Sequence, residues 1–338
     1  MRKLLIVLLG LLTAGLASAA KQLEIYFIDV EGGQATLFVT PSHESMLIDT
    51  GWPGHDGRDA NRIVAAAKRA GVKKIDYLLI THFHEDHVGG VPQLADRIPI
   101  RNFIDHGEDV EHDQRAKELY NAYVEYRAKG NHILAKPGIT IPIKGLDVQV
   151  LTADGDEIEN PLPGAGQPNP YCAGEPLKAP DPTENARSIG TLITFGKFRV
   201  LDLGDLTWNK EHQLMCPNNK IGTVDLFVVS HHGMDLSNSR ALVDAIHARA
   251  AVMDNGARKG GSASAWQIVH SSPGLEDLWQ LHYSIPAGEK NNSPDAFIAN
   301  TNEIGDTGNW IRVTADEDGG FTVYNSRNKY SKTYPPGA

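Results

Sequence analysis

The run Thr81-His82-Phe83-His84-Glu85-Asp86-His87-Val88-Gly89-Gly90 constrains this chain more than any other feature, because it follows the apolar stretch Ile75-Asp76-Tyr77-Leu78-Leu79-Ile80. A short apolar run that ends in polar residues and glycines reads as a strand, so four metal-competent side chains leave one strand end together. His82 and His84 sit two apart and can converge on one ion. Asp86 and His87 are displaced enough to serve a second ion beside it. A chain carrying this run has to hold it at one edge of a sheet, where loops at the carboxyl ends of strands form sites.

The flanking pattern supplies that sheet. Leu23–Ile28 and Ala35–Val39 form a hairpin through Glu31-Gly32-Gly33, and a third run, Ser45–Asp49, ends at Thr50-Gly51. The period then changes over Arg58 to Ala70, which reads as a helix leading into the strand that delivers the histidines. Glu111 to Lys129 predicts an amphipathic helix whose tyrosines, Tyr120, Tyr123 and Tyr126, pack rather than bind. Strands resume at 139–143 and 147–151, then at Gly190–Phe195 and Phe198–Leu203 as a second hairpin. A helix over Trp208–Met215, a strand over 223–230 ending at His231-His232-Gly233, a helix over 239–248, a strand over 250–253 and a last hairpin at 310–314 and 321–324 complete the alternation. Two halves, each of hairpin plus helices, predict an α/β fold: a four-layer αββα sandwich with its site at one sheet edge.

Between Asp154 and Glu184 lie seven prolines and several glycines. This 154–184 insertion predicts an ordered loop or lid, either a substrate wall or a surface excursion. Cys172 and Cys216 are the two cysteines of the chain, read as a disulfide with two buried thiols as the alternative. Residues 1–19 have the layout of a secretory signal peptide: Arg2-Lys3, an apolar stretch from Leu4 to Leu12, and Ala17-Ser18-Ala19 before the expected cut. An uncleaved anchor is the alternative. The expectation is a secreted or periplasmic protein, off the membrane after cleavage, with one domain over 20–338. Losing Arg2 and Lys3 takes the formal charge from −10 to −12. Such a surface opposes duplex nucleic acid and favours a small-molecule substrate, while a local basic patch can still hold one phosphate group.

Every candidate ligand lies at the carboxyl end of a predicted strand: Asp49, the His82 run, Asp205 and His231. Through "LIDTG", "THFHEDHVGG", "LDLGD" and "VSHHG", in that order, the chain resembles the metallo-β-lactamase-fold hydrolases from about Lys21 to about Gly256. The resemblance implies His82 and His84 on a first zinc, Asp86 and His87 on a second, Asp205 bridging both and His231 completing the second. It also implies Asp49 fixing the tautomer of a ligand histidine and a metal-bridging hydroxide as nucleophile. Manganese or iron are alternatives to the two zinc ions. Adjacent histidines on a strand face opposite ways, so His231 or His232 is the ligand; His231 is favoured, with His232 left to stabilise the leaving oxygen or to pack.

No Gly-His-Thr-Pro-Gly-His-like segment supplies a further histidine, which weakens the glyoxalase-II-like and lactonase-like readings. Instead Glu184-Asn185-Ala186-Arg187-Ser188 resembles the Asn-x-x-Ser of the hydrolase domain of ComEC-type competence proteins and related exported phosphoesterases. Asn185 is then a contact to a metal or its water, or else a turn residue. The antibiotic-degrading families carry Cys or Ser at the bridging position, whereas the carboxylate of Asp205 suits phosphodiester chemistry. Arg258 or Lys259 can grip a substrate phosphate or belong to a solvated turn. The other histidines, among them His106 and His282, carry no motif and read as structural or surface residues. The expected activity is phosphoester hydrolysis, with lactone or β-lactam hydrolysis and a non-catalytic metal-binding module as alternatives.

Overall fold

A computed structural model describes residues 22–302 and 307–337. The segment expected to be a signal peptide lies outside the described residues. Among these residues no helix is long and apolar enough to cross a membrane.

Two nine-stranded sheets lie face to face among the described residues. The first runs, neighbour to neighbour, through Ser331–Tyr334, Phe321–Asn325, Ile311–Ala315, Leu23–Phe27, Thr36–Val39, Ser45–Ile48, Ile75–Leu79, Ile100–Asp105 and Asn131–Leu134. From Ser45–Ile48 onward its strands are parallel. The second runs through Ile298–Asn300, Asp277–His282, Ala250–Met253, Leu226–Val228, Phe198–Asp202, Gly190–Phe195, Asp147–Ala153 and Thr140–Ile141, with Asp156–Glu157 on its flank. Its parallel part spans Phe198–Asp202 to Ile298–Asn300.

Strand alternation assigns the layers. Leu23, Ile25 and Phe27 face the core between the sheets, where they meet Ile193, Phe198, Val200 and Trp279 of the other sheet. Tyr26 and Ile28, one residue out of phase, face outward with Leu78 and Ile80 onto the helix Arg58–Arg69 through Ile63 and Ala67. On the far side, Leu201 and Leu203 pack on Leu214, Leu242 and Val269 of the helices Trp208–Met215, Arg240–Val243 and Ala263–His270. The expected αββα sandwich is the observed architecture.

Several boundaries differ from expectation. The helix predicted over 111–129 starts at Gln114, because the Asp113 carboxylate caps Arg115 N and Ala116 N. The one predicted over 239–248 is a single turn, Arg240–Val243, and His247 at φ 47° diverts the chain. The strand predicted over 223–230 pairs only at Leu226–Val228 before a tight turn. Strands Ile100–Asp105, Asn131–Leu134, Asp277–His282, Ile298–Asn300 and Ser331–Tyr334, and the helix Ala263–His270, come in addition.

The proline-rich insertion lies along the loop that follows the helix Trp208–Met215. Leu162 N donates to Lys220 O (2.9 Å), Gly166 N to Asn219 O (2.8 Å) and Asn169 N to Pro217 O (2.9 Å), and a Cys172–Cys216 disulfide fastens it at the end of that helix. The same helix carries Glu211, fully buried, whose carboxylate accepts from Asn238 N (2.9 Å) and Ser239 N (2.7 Å). Burial pushes the Glu211 carboxyl up to about 7 despite those bonds. A group with a raised folded pKa stabilises the fold most below its unfolded pKa, and this contribution is lost as pH rises through the folded value. The Glu211 contribution to the unfolding free energy should therefore decline from about pH 5 to about pH 7. Denaturant titration of Glu211→Gln should give a shallower decline; an identical slope would remove Glu211 from this account.

Candidate metal centre

The strand Ile75–Leu79 ends in a loop that carries His82 and His84 and then one helical turn, Glu85–Val88. That turn is pinned from below: Thr50 N and Thr50 Oγ1 both donate to His87 O (2.8 and 2.9 Å), and Gly90 N donates to Gly51 O (3.0 Å). The approach is so close that a Cβ on Gly90 would stand 2.2 Å from Thr50 O, which is why the run ends in glycine. From the second sheet, Phe198–Asp202 leads to Asp205 through Gly204, whose φ of +54° and packing on Thr81 exclude a side chain. Gly204 O accepts from His231 N (3.0 Å). The carboxyl ends of strands from both sheets thus meet at one point.

Two groups of donors result. His82 Nε2 and His84 Nδ1 are 3.0 Å apart, and His82 Nε2 is 3.9 Å from Asp205 Oδ2. Asp86, His87, Asp205 and His232 form the second group, buried, with one ligand atom from each within 4.8 Å of the others. In it His87 Nε2 is 3.1 Å from His232 Nε2 and 3.3 Å from both Asp86 Oδ2 and Asp205 Oδ2. Asp205 lies within reach of both groups.

It is His232, not the favoured His231, whose Nε2 joins Asp86 (3.1 Å) and Asp205 (3.5 Å) in the second group. The alternation argument fails because Ser230–Gly233 is a tight turn, with His231 at φ 55° and His232 at φ 53°, so both rings turn inward. His231 Nε2 lies 3.2 Å from Asp205 Oδ2 and its Nδ1 3.2 Å from Ser237 Oγ.

Carboxylates orient two imidazoles of the cluster. Asp49, fully buried, takes His87 Nδ1 at 2.7 Å while accepting from Thr81 N and Thr81 Oγ1 at 2.8 and 2.6 Å. This leaves His87 Nε2 to face the cluster. Glu111 Oε1 does the same for His84 through Nε2 at 2.8 Å. Glu184 spans the gap behind them, accepting from Phe83 N (3.1 Å) and Val110 N (2.9 Å) and pairing with His106 Nε2 (2.8 Å). Sequence reasoning missed Glu111 and Glu184. The 27-residue separation of Glu111 from His84 leaves no local signal.

Burial lowers the His82 pKa, helped by neighbouring His87 and His84, and burial lowers that of His231 against the pull of Asp205. Both imidazoles are thus held neutral, the form that ligates. Burial would raise the Asp86 and Asp205 carboxyls, but the surrounding imidazoles, and Lys259 for Asp86, hold both well below the ordinary range. Burial would likewise lower His87, yet Asp205, Asp86 and Asp49 raise it well above its usual value.

Whether the residues fit two metal ions is testable on their unsatisfied atoms. His87 Nδ1 engages Asp49, and its Nε2 stands 3.1 Å from His232 Nε2, two imidazole nitrogens facing each other with no acceptor between them. Asp205 Oδ1 and Asn185 Oδ1 are buried without a hydrogen-bond partner. Nitrogen and carboxylate donors at these spacings, with orphaned oxygens beside them, fit a pair of divalent cations.

Asn185 sits in the turn Glu184–Arg187, its N–H on Thr183 Oγ1 (3.3 Å). Lys259 Nζ reaches the centre, pairing with Asp86 Oδ2 and donating to Gly32 O (2.7 Å). Arg258 stands exposed on the same turn.

Residues 28–174 match the profile of the metallo-beta-lactamase superfamily, which takes in Asp49 and the His82 run; Asp205, His231 and His232 lie beyond that match. Among solved structures, the metallo-beta-lactamase fold protein YhfI from Bacillus subtilis is similar at 11% identity and TM-score 0.47, over 77% of this chain and 96% of that one. Igni18, a metallo hydrolase from Ignicoccus hospitalis, is similar at 14% identity and TM-score 0.42, over 79% and 97%. CmlA, a diiron beta-hydroxylase from Streptomyces venezuelae, is similar at 17% identity and TM-score 0.39, over 77% and 48%. No curated protein matches the sequence. The chain has the metallo-β-lactamase fold.

Asp49→Asn should weaken metal binding by about 10–100-fold, because His87 loses the acceptor that fixes its tautomer. Chelator competition on the zinc-loaded protein reads this directly; an unchanged affinity would mean that Asp49 only braces Thr81.

Proposed function

We propose that this protein is an exported, dinuclear metal-dependent hydrolase of small anionic phosphoesters. The observation that carries the reading is the carboxylate of Asp205 standing between two donor groups, with the Lys259 ammonium at the rim on Asp86. His82, His84 and Asp205 would hold one cation, and Asp86, His87, His232 and Asp205 the other. Bound there, the two cations supply Lewis acidity and a nucleophile ionised near neutral pH.

The protein's own groups do the rest. Asp49 and Glu111 fix ring orientation. Lys259, whose ammonium pairs with Asp86 Oδ2 at the rim, would be placed to hold a phosphoryl oxygen. His231, outside both donor groups, has its Nδ1 3.2 Å from Ser237 Oγ and its Nε2 3.2 Å from Asp205 Oδ2, where Nε2 would exchange that contact for the leaving oxygen. Asn185 Oδ1, buried and unpartnered, is assigned to orienting water or metal. Export is supported by the signal-like residues 1–19 and by the Cys172–Cys216 disulfide, which suits an oxidising compartment.

The test is metal analysis together with turnover of activated phosphomonoester, phosphodiester, lactone and β-lactam substrates. Phosphoester turnover is expected, falling by about 10³-fold in kcat/KM with loss of bound metal in Asp205→Ala. Turnover confined to lactones or β-lactams would overturn the substrate class, and full metal content without any turnover would overturn the enzyme. Lys259→Ala should raise KM for the phosphoester more than it lowers kcat; a pure kcat loss would reassign the lysine.

A further inference from the structure

The insertion approaches the centre at its far end. Lys178 N donates to Asn209 Oδ1 (2.9 Å), Asn209 Nδ2 donates back to Lys178 O (2.7 Å), and Lys178 Nζ bonds Asp235 O. Trp208 N donates to Leu236 O (2.9 Å). These bonds knit together the segments just before Asn185, just after Asp205 and just after His232. Between them is a cavity of about 240 Å³, lined by Pro180, Pro182, Thr207, Trp208 and Leu236 and roofed by Lys178.

Its distance from the centre is bounded by the chain. Thr207 is two residues from Asp205, Pro182 three from Asn185 and Leu236 four from His232, so their Cα atoms lie within about 7, 11 and 14 Å of those residues. Its lining is apolar where it matters. The Lys178 ammonium stacks 4.0 Å from the centre of the Trp208 ring while bonded to Asp235 O, and Asp181 Oδ1 is engaged by Thr183 N (2.7 Å). Leu236, in the lining, is left 45% exposed, and Leu177, next to Lys178 in the chain, is 61% exposed. A small cavity with apolar lining, a few residues along the chain from a polar centre, is suited to the apolar part of a ligand held at that centre. Trp208 also lines an adjoining cavity of about 440 Å³ with Pro170, Tyr171, Pro176 and Ile268, so the apolar wall continues along the insertion.

We propose that this cavity is a substrate subsite for an aromatic or branched alkyl group. The substrate is then a small ester that pairs one anionic centre with a bulky apolar substituent, rather than a nucleic acid strand. For the charged half, the inference rests on the phosphoester reading above.

The experiment measures calorimetric affinity of the zinc-loaded protein for phenylphosphonate and methylphosphonate, and for phenylacetate and acetate. Phenylphosphonate should bind at least about tenfold more tightly than methylphosphonate. The ratio should collapse to within about twofold in Leu236→Asp, and independently in Leu177→Asp, both at exposed positions that fold without them. Equal affinities in the wild type, or a ratio untouched by both substitutions, overturn the subsite. The same preference seen only in the carboxylate pair keeps the subsite and overturns the phosphoester reading. Binding of none of the four overturns both.

Discussion

The contact of the Asp205 carboxylate with imidazoles from both sheets is what the rest of this structure serves. His87 reaches it from the end of Ile75–Leu79, and His231 and His232 from the turn after Leu226–Val228, at 3.2 to 3.5 Å. A carboxylate buried this deeply is costly unless charge and hydrogen bonds surround it. The two sheets supply that surrounding only when they are stacked with their carboxyl ends aligned. The interlayer core of Leu23, Ile25, Phe27, Ile193, Phe198 and Trp279 fixes the stacking, so apolar packing far from the centre sets distances within it.

Around that contact, two of the imidazoles are held from behind by carboxylates with no direct part in it. Asp49 holds His87, Glu111 holds His84, and Glu184 clamps the Phe83 N–H between them. Gln34 Nε2 donates to Asp202 Oδ2 (2.7 Å), a buried tie between the two sheets just before Gly204. Burial pushes the Asp202 carboxyl up to about 7. The cluster is therefore the visible part of a hydrogen-bonded frame that spans both halves of the chain.

Much of this was legible in the sequence, and the failures have physical causes. Strands with strong alternation, such as Leu23–Phe27 and Phe198–Asp202, declare themselves, and the His82 run declares its chemistry because its donors are local. Ile100–Asp105 and Asp277–His282 hide because polar residues interrupt them, each paired in the interior: Asn102 Nδ2 with Asp76 O and Gln280 Nε2 with His282 O. His282 itself, without a motif, turns out to pair with Asp29 at 2.7 Å from 253 residues away. Alternation cannot separate His231 from His232, because it holds only along a strand, and no pattern in Val229-Ser230-His231-His232-Gly233 reveals that the ladder has already stopped.

That turn has a consequence for how the chain can change. Two neighbouring histidines in the left-handed region cost roughly 1–3 kcal/mol each in backbone energy. Glycine at either position would relax the peptide and remove a ring from the cluster in the same stroke. Conformational ease and chemical competence are opposed at these two residues, so selection for robustness alone would drive them apart from what the centre requires.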